Sequence, residues 1–276
     1  MARGNPRFRD RRFGDRPRRG IPLRAVAPNA VTALALCFGL SAVRFAIAAQ
    51  WELAVGSIIV AGVLDGLDGR IARLLRGESR FGAELDSLSD VIAFGVSPAV
   101  VIYLWSLQYM PQFGWTIALI YAVCCALRLA RFNAQIDATE QPRKAAGFLT
   151  GIPAPAAAGT AFLPLYLWLT TGLDIFRSSY VVAPWMVLIT LLMVSNVATF
   201  GWSSLRLRRG VRFGALVGIG VFGGALISAP WPTLSTLAIV YVGAIPLGAH
   251  AYARFKQLRA AAPASALVQP SDAPTL

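Results

Sequence analysis

Four aspartates interrupt an otherwise apolar stretch of this sequence at regular spacing. Asp65 and Asp68 lie three residues apart, and Asp86 and Asp90 lie four residues apart. On a helix, each spacing puts both carboxylates on one face. An ionisable side chain at the centre of a membrane helix costs about 2.5–3.5 kcal/mol by insertion scales, so such residues are functional by default. We therefore take the four aspartates as the candidate site.

Small residues accompany these acids. Gly69 and Ala72 follow Asp65 by four and seven positions, and Gly82 precedes Asp86 by four. On helices these residues leave a shallow notch beside the carboxylates. Only the short segment 75–83 joins the two predicted helices, so the helices are antiparallel neighbours and their acidic faces can meet. The sequence predicts that four carboxylates converge.

Converging carboxylates indicate a particular chemistry. Like charges in a low dielectric repel, so the site must take up protons or cations. Oxygen ligands without His or Cys favour Mg²⁺, Mn²⁺ or Ca²⁺ over zinc, and a pair of such ions suits phosphoryl transfer. The alternative is that the acids only pair with neighbouring arginines, which explains neither the notch nor the matched faces. Those arginines are Arg70, Arg73, Arg76 and Arg80.

The elements that position these acids are membrane helices. The chain is 56% hydrophobic and 14% charged, which argues against a soluble globular protein. Apolar windows near the roughly 20 residues that span a bilayer occur at 25–49, 52–74, 86–108, 114–133, 153–172, 180–200, 213–229 and 234–253. We predict an all-α, polytopic membrane helix bundle of about eight transmembrane helices.

The charge distribution predicts an orientation. The net charge is +13, but the basic residues form short clusters between apolar windows, which favours a membrane surface over nucleic acid. Nine arginines in the first 24 residues predict a disordered tail at anionic lipid. By the positive-inside rule both termini and the acidic site face the cytoplasm. The predicted domains are a basic tail (1–24), a transmembrane catalytic domain (25–254) and a flexible tail (255–276).

The acidic stretch resembles the signature of the CDP-alcohol phosphatidyltransferase family, D-x2-D-G-x2-A-R-x8-G-x3-D-x3-D. Every fixed position matches. These positions are Asp65, Asp68, Gly69, Ala72, Arg73, Gly82, Asp86 and Asp90. The resemblance implies a core of six membrane helices with extra spans, a homodimer, and an integral protein of the bacterial inner membrane.

The resemblance also implies a role for each residue of the signature. The four aspartates would hold a divalent pair of Mg²⁺ or Mn²⁺, with Ca²⁺ as another occupant, and Asp90 would also be the general base. Gly69, Ala72 and Gly82 would let the cytidine nucleotide approach the backbone, and Arg73 would contact the nucleotide or order the loop. The products would be a phosphodiester lipid and CMP.

The flanking segments 85–99, 127–133 and 151–159 resemble the phosphatidylserine synthase branch of that family, which implies CDP-diacylglycerol and L-serine as substrates. Pro28, Asn29, Thr32 and the segment 193–196 resemble it too. A serine carboxylate needs a cation. Arg131, in preference to Arg128, is the candidate, and Asn133 would add hydrogen bonds. The alternative is that these arginines anchor the helix or bind lipid phosphate.

Three other functions remain open. Glycerol 3-phosphate or inositol phosphate as acceptor would need a deeper basic cluster, and choline an aromatic cage; the sequence shows neither. An ion-coupled transporter would also use intramembrane acids, but the acids here lie beside a loop and no inverted repeat is found. A scaffold without catalysis fits poorly with an intact acidic set.

Overall fold

The computed structural model describes residues 23–75, 77, 79–136, 148–195, 198–200 and 212–261. The described chain is mostly helical. Its helices are α1 (Leu23–Ile47), α2 (Trp51–Leu75), α3 (Arg80–Asp90), α4 (Ser97–Trp105), α5 (Gly114–Ile136), α6 (Ala154–Ala161), α7 (Leu163–Thr171), α8 (Ser179–Val194), α9 (Arg212–Ser228) and α10 (Pro230–Ala261). Two short strands, β1 (Phe148–Thr150) and β2 (Ala198–Phe200), pair antiparallel. The predicted helical bundle is confirmed.

The distribution of side chains on α5 shows why this bundle suits a membrane. Its large apolar side chains, such as Leu119, Val123 and Leu127, are exposed, whereas Ala118 and Tyr121 are buried. A soluble protein buries its large apolar residues and rarely exposes them along a whole helix face. The outward face of α5 therefore matches lipid better than water.

Three helical segments in the described residues are long and apolar enough to cross a bilayer. They are Val26–Ile47, Arg80–Trp105 and Gly114–Ala134. The predicted span 52–74 is one helix, α2, which carries Asp65 and Asp68 and is not among these three segments. The span 153–172 is divided at Phe162 into α6 and α7. The number of eight transmembrane helices therefore stays a prediction.

Two predicted boundaries differ from the structure. The sixth predicted span, 180–200, is helical only to Val194, and its last residues form β2, where Phe200 pairs with Phe148. An apolar run predicts burial in lipid or protein but does not separate a helix end from a short strand. At the other end of the chain, α10 continues to Ala261, past the predicted domain end at 254. Residues 1–22 and 262–276 lie outside the described residues.

Helix α1 lies against both helices that carry the acids. Its connection to α2 takes only residues 48–50, so the two helices run antiparallel side by side, and α1 also contacts α3 and α4. Gly39 lets α1 approach the backbone at Ala93, just after α3, because a Cβ atom built at position 39 would lie only 2.9 Å from the Cα of Ala93. α1 is therefore the support on which α2 and α3 meet.

A π-helical segment, Val91–Val96, continues α3 directly into α4. Such segments disturb the regular hydrogen-bond ladder and occur frequently at functional sites. Tyr121 of α5, which is 0% exposed, donates a hydrogen bond of 3.1 Å to the carbonyl of Phe94 within the segment. The bond connects α5 to the turn that immediately follows Asp90.

The far end of this continuous helix is held by a group that we call the Arg177 cluster, consisting of Trp105, Ser106, Tyr109, Trp168 and Arg177. Arg177 Nε donates to the carbonyl of Trp105 at 3.1 Å, and its guanidinium lies 5.6 Å from the Trp168 ring and 5.9 Å from the Tyr109 ring. The Ser106 hydroxyl donates to the carbonyl of Arg177 at 2.7 Å. These bonds fix the loop after α7 onto the end of α4.

Candidate active site

The structure brings the acidic faces of α2 and α3 together. Carboxylate oxygens of Asp65, Asp68 and Asp86 all lie within 4.8 Å of one another. The carboxyl group of Asp90, one turn after Asp86, lies within hydrogen-bonding reach of Asp65. The predicted meeting of the two faces is confirmed, because acids from both helices share one small volume.

The neighbouring arginines do not neutralise these acids. Arg70, Arg73 and Arg80 are exposed, and none of the three forms an ion pair with the four aspartates in the described part of the chain. Arg73 instead donates from Nε to the carbonyl of Gly69 on its own helix at 3.0 Å. Arg76 lies outside the described residues. Simple pairing of acids with adjacent arginines is therefore disfavoured for these three residues.

The donor set fits a divalent cation. Three carboxylate oxygens stand close together, Asp68 is only 5% exposed, and hard oxygen donors are those that Mg²⁺, Mn²⁺ and Ca²⁺ prefer. Partly buried like charges at this separation repel unless a cation or a proton lies between them. The structure thus supports an Asp triad that can bind a metal ion, with Asp90 next to it.

The glycines of the signature border the site in two different ways. A Cβ atom at Gly69 would meet nothing within 4 Å, so the surface beside Asp68 is open, as the predicted notch requires. A Cβ atom at Gly82 would lie 2.7 Å from Asn29 Oδ1 and 3.2 Å from Ser79 Oγ. Gly82 is therefore needed for the contact between α3 and α1, a function that the sequence pattern did not indicate.

The start of α3 is fixed by a side-chain cap. Ser79 Oγ accepts a hydrogen bond of 3.0 Å from the backbone N–H of Gly82. A serine cap satisfies one of the unpaired N–H groups of the first turn. The cap sets where α3 begins, and hence which face carries Asp86 and Asp90.

Thr32 of α1 is a site residue whose role the sequence did not reveal. Its hydroxyl lies 2.7 Å from Asp68 Oδ2, and the side chain is only 4% exposed. In the sequence Thr32 stood out only as part of a resemblance to one branch of a family. A polar residue in an apolar span at the level of the acids was the available signal, but threonine is common in membrane helices because it can bond to its own helix.

The three candidate acceptor residues of α5 have different surroundings. Arg128 is half-buried, its Nε has no hydrogen-bond partner among the described residues, and its charge lies close to Asp90. Arg131 is exposed. Asn133 donates from Nδ2 to Ser87 Oγ at 2.7 Å, which ties α5 to α3 between Asp86 and Asp90.

A tyrosine from the last described helix reaches the same place. Tyr241 of α10 packs against the core and interacts electrostatically with Arg128. The sequence gave no reason to select it, because α10 contains no acid and no motif. Helices at the two ends of the described chain, α1 and α10, thus both contribute to the surroundings of the acids.

Comparison with known proteins agrees with this geometry. The sequence model of the family described as "CDP-alcohol phosphatidyltransferase" matches residues 25–199, and a second model, "CDP-alcohol phosphatidyltransferase 2", matches residues 211–246. The first match includes α1 from its third residue and the whole of α2 to α8, and therefore all four aspartates and Arg128.

Curated relatives carry one name. A protein of Mycobacterium tuberculosis named "CDP-diacylglycerol--serine O-phosphatidyltransferase" is 44% identical over 182 residues, which cover 66% of this chain and 63% of the relative. Proteins of the same name from Helicobacter pylori and Bacillus subtilis are 35% and 36% identical, over 62% and 43% of this chain and 70% and 63% of their own lengths. The chain thus spans less than two thirds of the M. tuberculosis relative. Because the family match covers more than half of the chain and contains the whole acidic site, this protein belongs to the CDP-alcohol phosphatidyltransferase family.

Proposed function

We propose that this protein transfers the phosphatidyl group of CDP-diacylglycerol to the hydroxyl of L-serine, giving phosphatidylserine and CMP. The observation that supports the reaction class is the convergence of Asp65, Asp68 and Asp86 in one partly buried site formed by α2 and α3. The names of the relatives support the choice of serine.

We assign the metal to the acidic site. Asp65, Asp68 and Asp86 supply ligands from both helices, and Asp90 completes a set of four that suits a pair of Mg²⁺ or Mn²⁺ ions. When bound, such ions hold the diphosphate and stabilise the negative charge that develops on the leaving CMP. The open surface beside Gly69, with Ala72 one turn further on and Arg73 next to it, is the proposed place for the cytidine nucleotide. The family resemblance also assigns Gly82 to the nucleotide, although the Cβ side of Gly82 faces Asn29 of α1.

Asp90 is the proposed general base. Arg128 of α5 interacts electrostatically with it. Its carboxylate takes the proton of the serine hydroxyl as the oxygen attacks the phosphorus that bears the diacylglycerol group. One P–O bond forms, the P–O bond to CMP breaks, and CMP leaves with the electron pair.

Arg128 is the proposed anchor for the serine carboxylate. The hydroxyl and the carboxylate of serine are only a few bonds apart, so the base and the cation that recognise them must lie in the same site, and Asp90 and Arg128 interact electrostatically. A guanidinium binds a carboxylate through paired charge-assisted hydrogen bonds. The half-buried position and unpartnered Nε of Arg128 favour it over the exposed Arg131, with Asn133 holding α5 in place.

The setting of the reaction is proposed on other grounds. The basic loops favour an orientation with the acidic site and both termini on the cytoplasmic side, and the family resemblance is the ground for proposing a bacterial inner membrane. The family resemblance is the ground for proposing a homodimer and a six-helix core within about eight transmembrane helices.

The decisive experiment is CMP release by the purified protein in detergent. CDP-diacylglycerol is supplied with Mn²⁺ or Mg²⁺, and L-serine, glycerol 3-phosphate, inositol phosphate and choline are offered singly. We expect release with serine only, and none after chelation. Release with another alcohol would keep the chemistry but replace the acceptor, whereas no release with any alcohol would favour an ion-coupled transporter.

The experiment includes a matched pair of variants. Asp65→Asn removes one proposed metal ligand, and Asp174→Asn makes the same change at the exposed end of the molecule that carries Arg177. We expect the first to lose activity and to regain part of it at higher Mn²⁺, and the second to match the wild type.

A further inference from the structure

The contact between Thr32 and Asp68 links α1 to a proposed metal ligand. Thr32 Oγ1 lies 2.7 Å from Asp68 Oδ2 and 3.2 Å from the carbonyl of Pro28. The hydroxyl has one proton, so it can donate fully to only one of these oxygens. An ionised carboxylate is the stronger acceptor, and its bond is the shorter of the two. The Thr32 hydroxyl therefore donates its proton to the hydrogen bond with Asp68 Oδ2.

This bond restrains the carboxylate. Asp68 is buried, and rotation of its carboxylate would break a charge-assisted hydrogen bond that no water can replace in a side chain only 5% exposed. The hydroxyl of Thr32 donates to Oδ2, and the backbone N–H of Gly69 also donates to this carboxylate, so donors from α1 and α2 together hold its orientation. A ligand held in this way keeps its orientation before the cation binds.

The position of Thr32 is itself fixed from both sides. Its carbonyl accepts a hydrogen bond of 3.4 Å from Ser89, the residue before Asp90 on α3. One turn earlier on α1, Asn29 contacts the glycine face of α3 at Gly82. One residue of α1 therefore touches the acid of α2 through its side chain and the acidic helix α3 through its backbone.

From these contacts we infer that Thr32 is a positioning residue for the divalent cation, acting through Asp68. The inference rests on the proposed function, because it assumes that the acidic site binds a metal ion. It goes beyond that function by including a residue of α1 that carries no charge and lies outside the acidic signature.

The test is direct titration of the purified full-length protein with Mn²⁺, followed by electron paramagnetic resonance without nucleotide or lipid substrate. Thr32→Val keeps the shape of the side chain and removes the donor. We expect the dissociation constant for Mn²⁺ to rise about 10- to 100-fold, as for other residues that hold a metal ligand. Thr32→Ser keeps the hydroxyl and is expected to bind close to the wild type.

Thr190→Val is the matched control. Thr190 is equally buried, but its hydroxyl donates to the carbonyl of Met186 on its own helix, α8. We expect wild-type Mn²⁺ affinity for this variant and similar thermal stability for both valine variants in chelator. If Thr32→Val unfolds, Thr32→Ala removes the same donor without adding a methyl group and is compared with Thr190→Ala.

The outcomes separate the two claims. If the wild type binds no Mn²⁺, the metal part of the proposed function is overturned. If the wild type binds Mn²⁺ and Thr32→Val binds it equally well, only the role of Thr32 is overturned. An equal loss in Thr32→Ser and Thr32→Val would mean that the hydroxyl alone does not maintain the affinity and that any change of side-chain shape at this position weakens binding, which also overturns the inference.

Discussion

The acidic site and the Arg177 cluster lie towards opposite ends of the continuous helix Arg80–Trp105, and they treat charge in opposite ways. In the Arg177 cluster the cation donates to a backbone carbonyl and lies near two aromatic rings. Close by, the carboxylate of Asp174 accepts a hydrogen bond from the indole of Trp168. In the acidic site, Asp65, Asp68 and Asp86 face one another, and among the described residues the neutral hydroxyl of Thr32 donates to Asp68.

The difference separates a structural cluster from a functional one. A polar group that is satisfied within the protein stabilises the fold and offers nothing to a ligand. Carboxylates held together without a protein cation cost stability and attract a cation from outside. We therefore expect changes at the Arg177 cluster to alter stability alone, and changes at the acidic site to alter catalysis far more than stability.

The largest expected effect comes from Asp90→Asn. The amide keeps the shape of the side chain but cannot take the serine proton, so we expect the turnover number to fall about 10²- to 10⁴-fold. The measurement is CMP release at saturating Mn²⁺, with Asp174→Asn as the control at the other end. Because the substitution removes one of several repelling carboxylates, we expect the thermal midpoint of Asp90→Asn to equal or exceed that of the wild type. A lower midpoint would contradict this expectation.

Arg177→Ala should have the largest effect on stability. It removes a charged hydrogen bond to the carbonyl of Trp105 and two cation–π contacts, together worth about 2–3 kcal/mol. Thermal unfolding in detergent measures the loss. The control is Arg44→Ala, because Arg44 is exposed and lies over a single ring, Phe45, at 5.9 Å. A changed Michaelis constant for serine in Arg177→Ala would contradict the division of roles.

Arg128→Lys should weaken serine binding specifically. Lysine keeps the charge but not the paired donors, so we expect the Michaelis constant for serine to rise about 10-fold or more, with that for CDP-diacylglycerol unchanged. Arg131→Lys is the matched control on the exposed face of α5. Equal effects of the two substitutions on the serine constant would remove the argument for Arg128.

The smallest expected effect is that of Tyr241→Phe. Loss of the hydroxyl that interacts electrostatically with Arg128 should raise the Michaelis constant for serine no more than a few-fold. Steady-state kinetics at several serine concentrations measure it. Tyr180→Phe, on the exposed start of α8, serves as the control.

The meeting of the two acidic faces could be predicted from the sequence because it depends on residues close together in the chain. The spacing of Asp65 and Asp68 and of Asp86 and Asp90 fixes helix faces, and a short connection makes the helices neighbours, so their meeting followed from periodicity alone. The positions of Thr32 and Tyr241 could not be predicted in this way. Each depends on how distant helices pack, and neither residue type is unusual in an apolar helix.

Helix boundaries show the same limit. The starts of α1, α2 and α5 agree with their apolar windows, since hydropathy and the flanking turn residues point to the same ends. The window 180–200 failed at its end because Ala198–Phe200 contains no charged residue that would end the apolar run, and the pairing of Phe200 with Phe148 depends on a partner 52 residues earlier in the chain. The π-helical segment after Asp90 could not be predicted either, because the spacing of apolar residues there does not differ recognisably from that of an α-helix.

The support of both acidic helices by α1 also bears on the order in which the protein is made. Thr32 and all four aspartates lie before residue 91, so the part of the site that gathers the acids is complete once three helices have been synthesised. Arg128 follows Asp90 by 38 residues. At a synthesis rate of roughly 5–20 residues per second, that interval is about 2–8 s. During it, a nascent chain in the membrane holds the acidic half of the proposed site without Arg128.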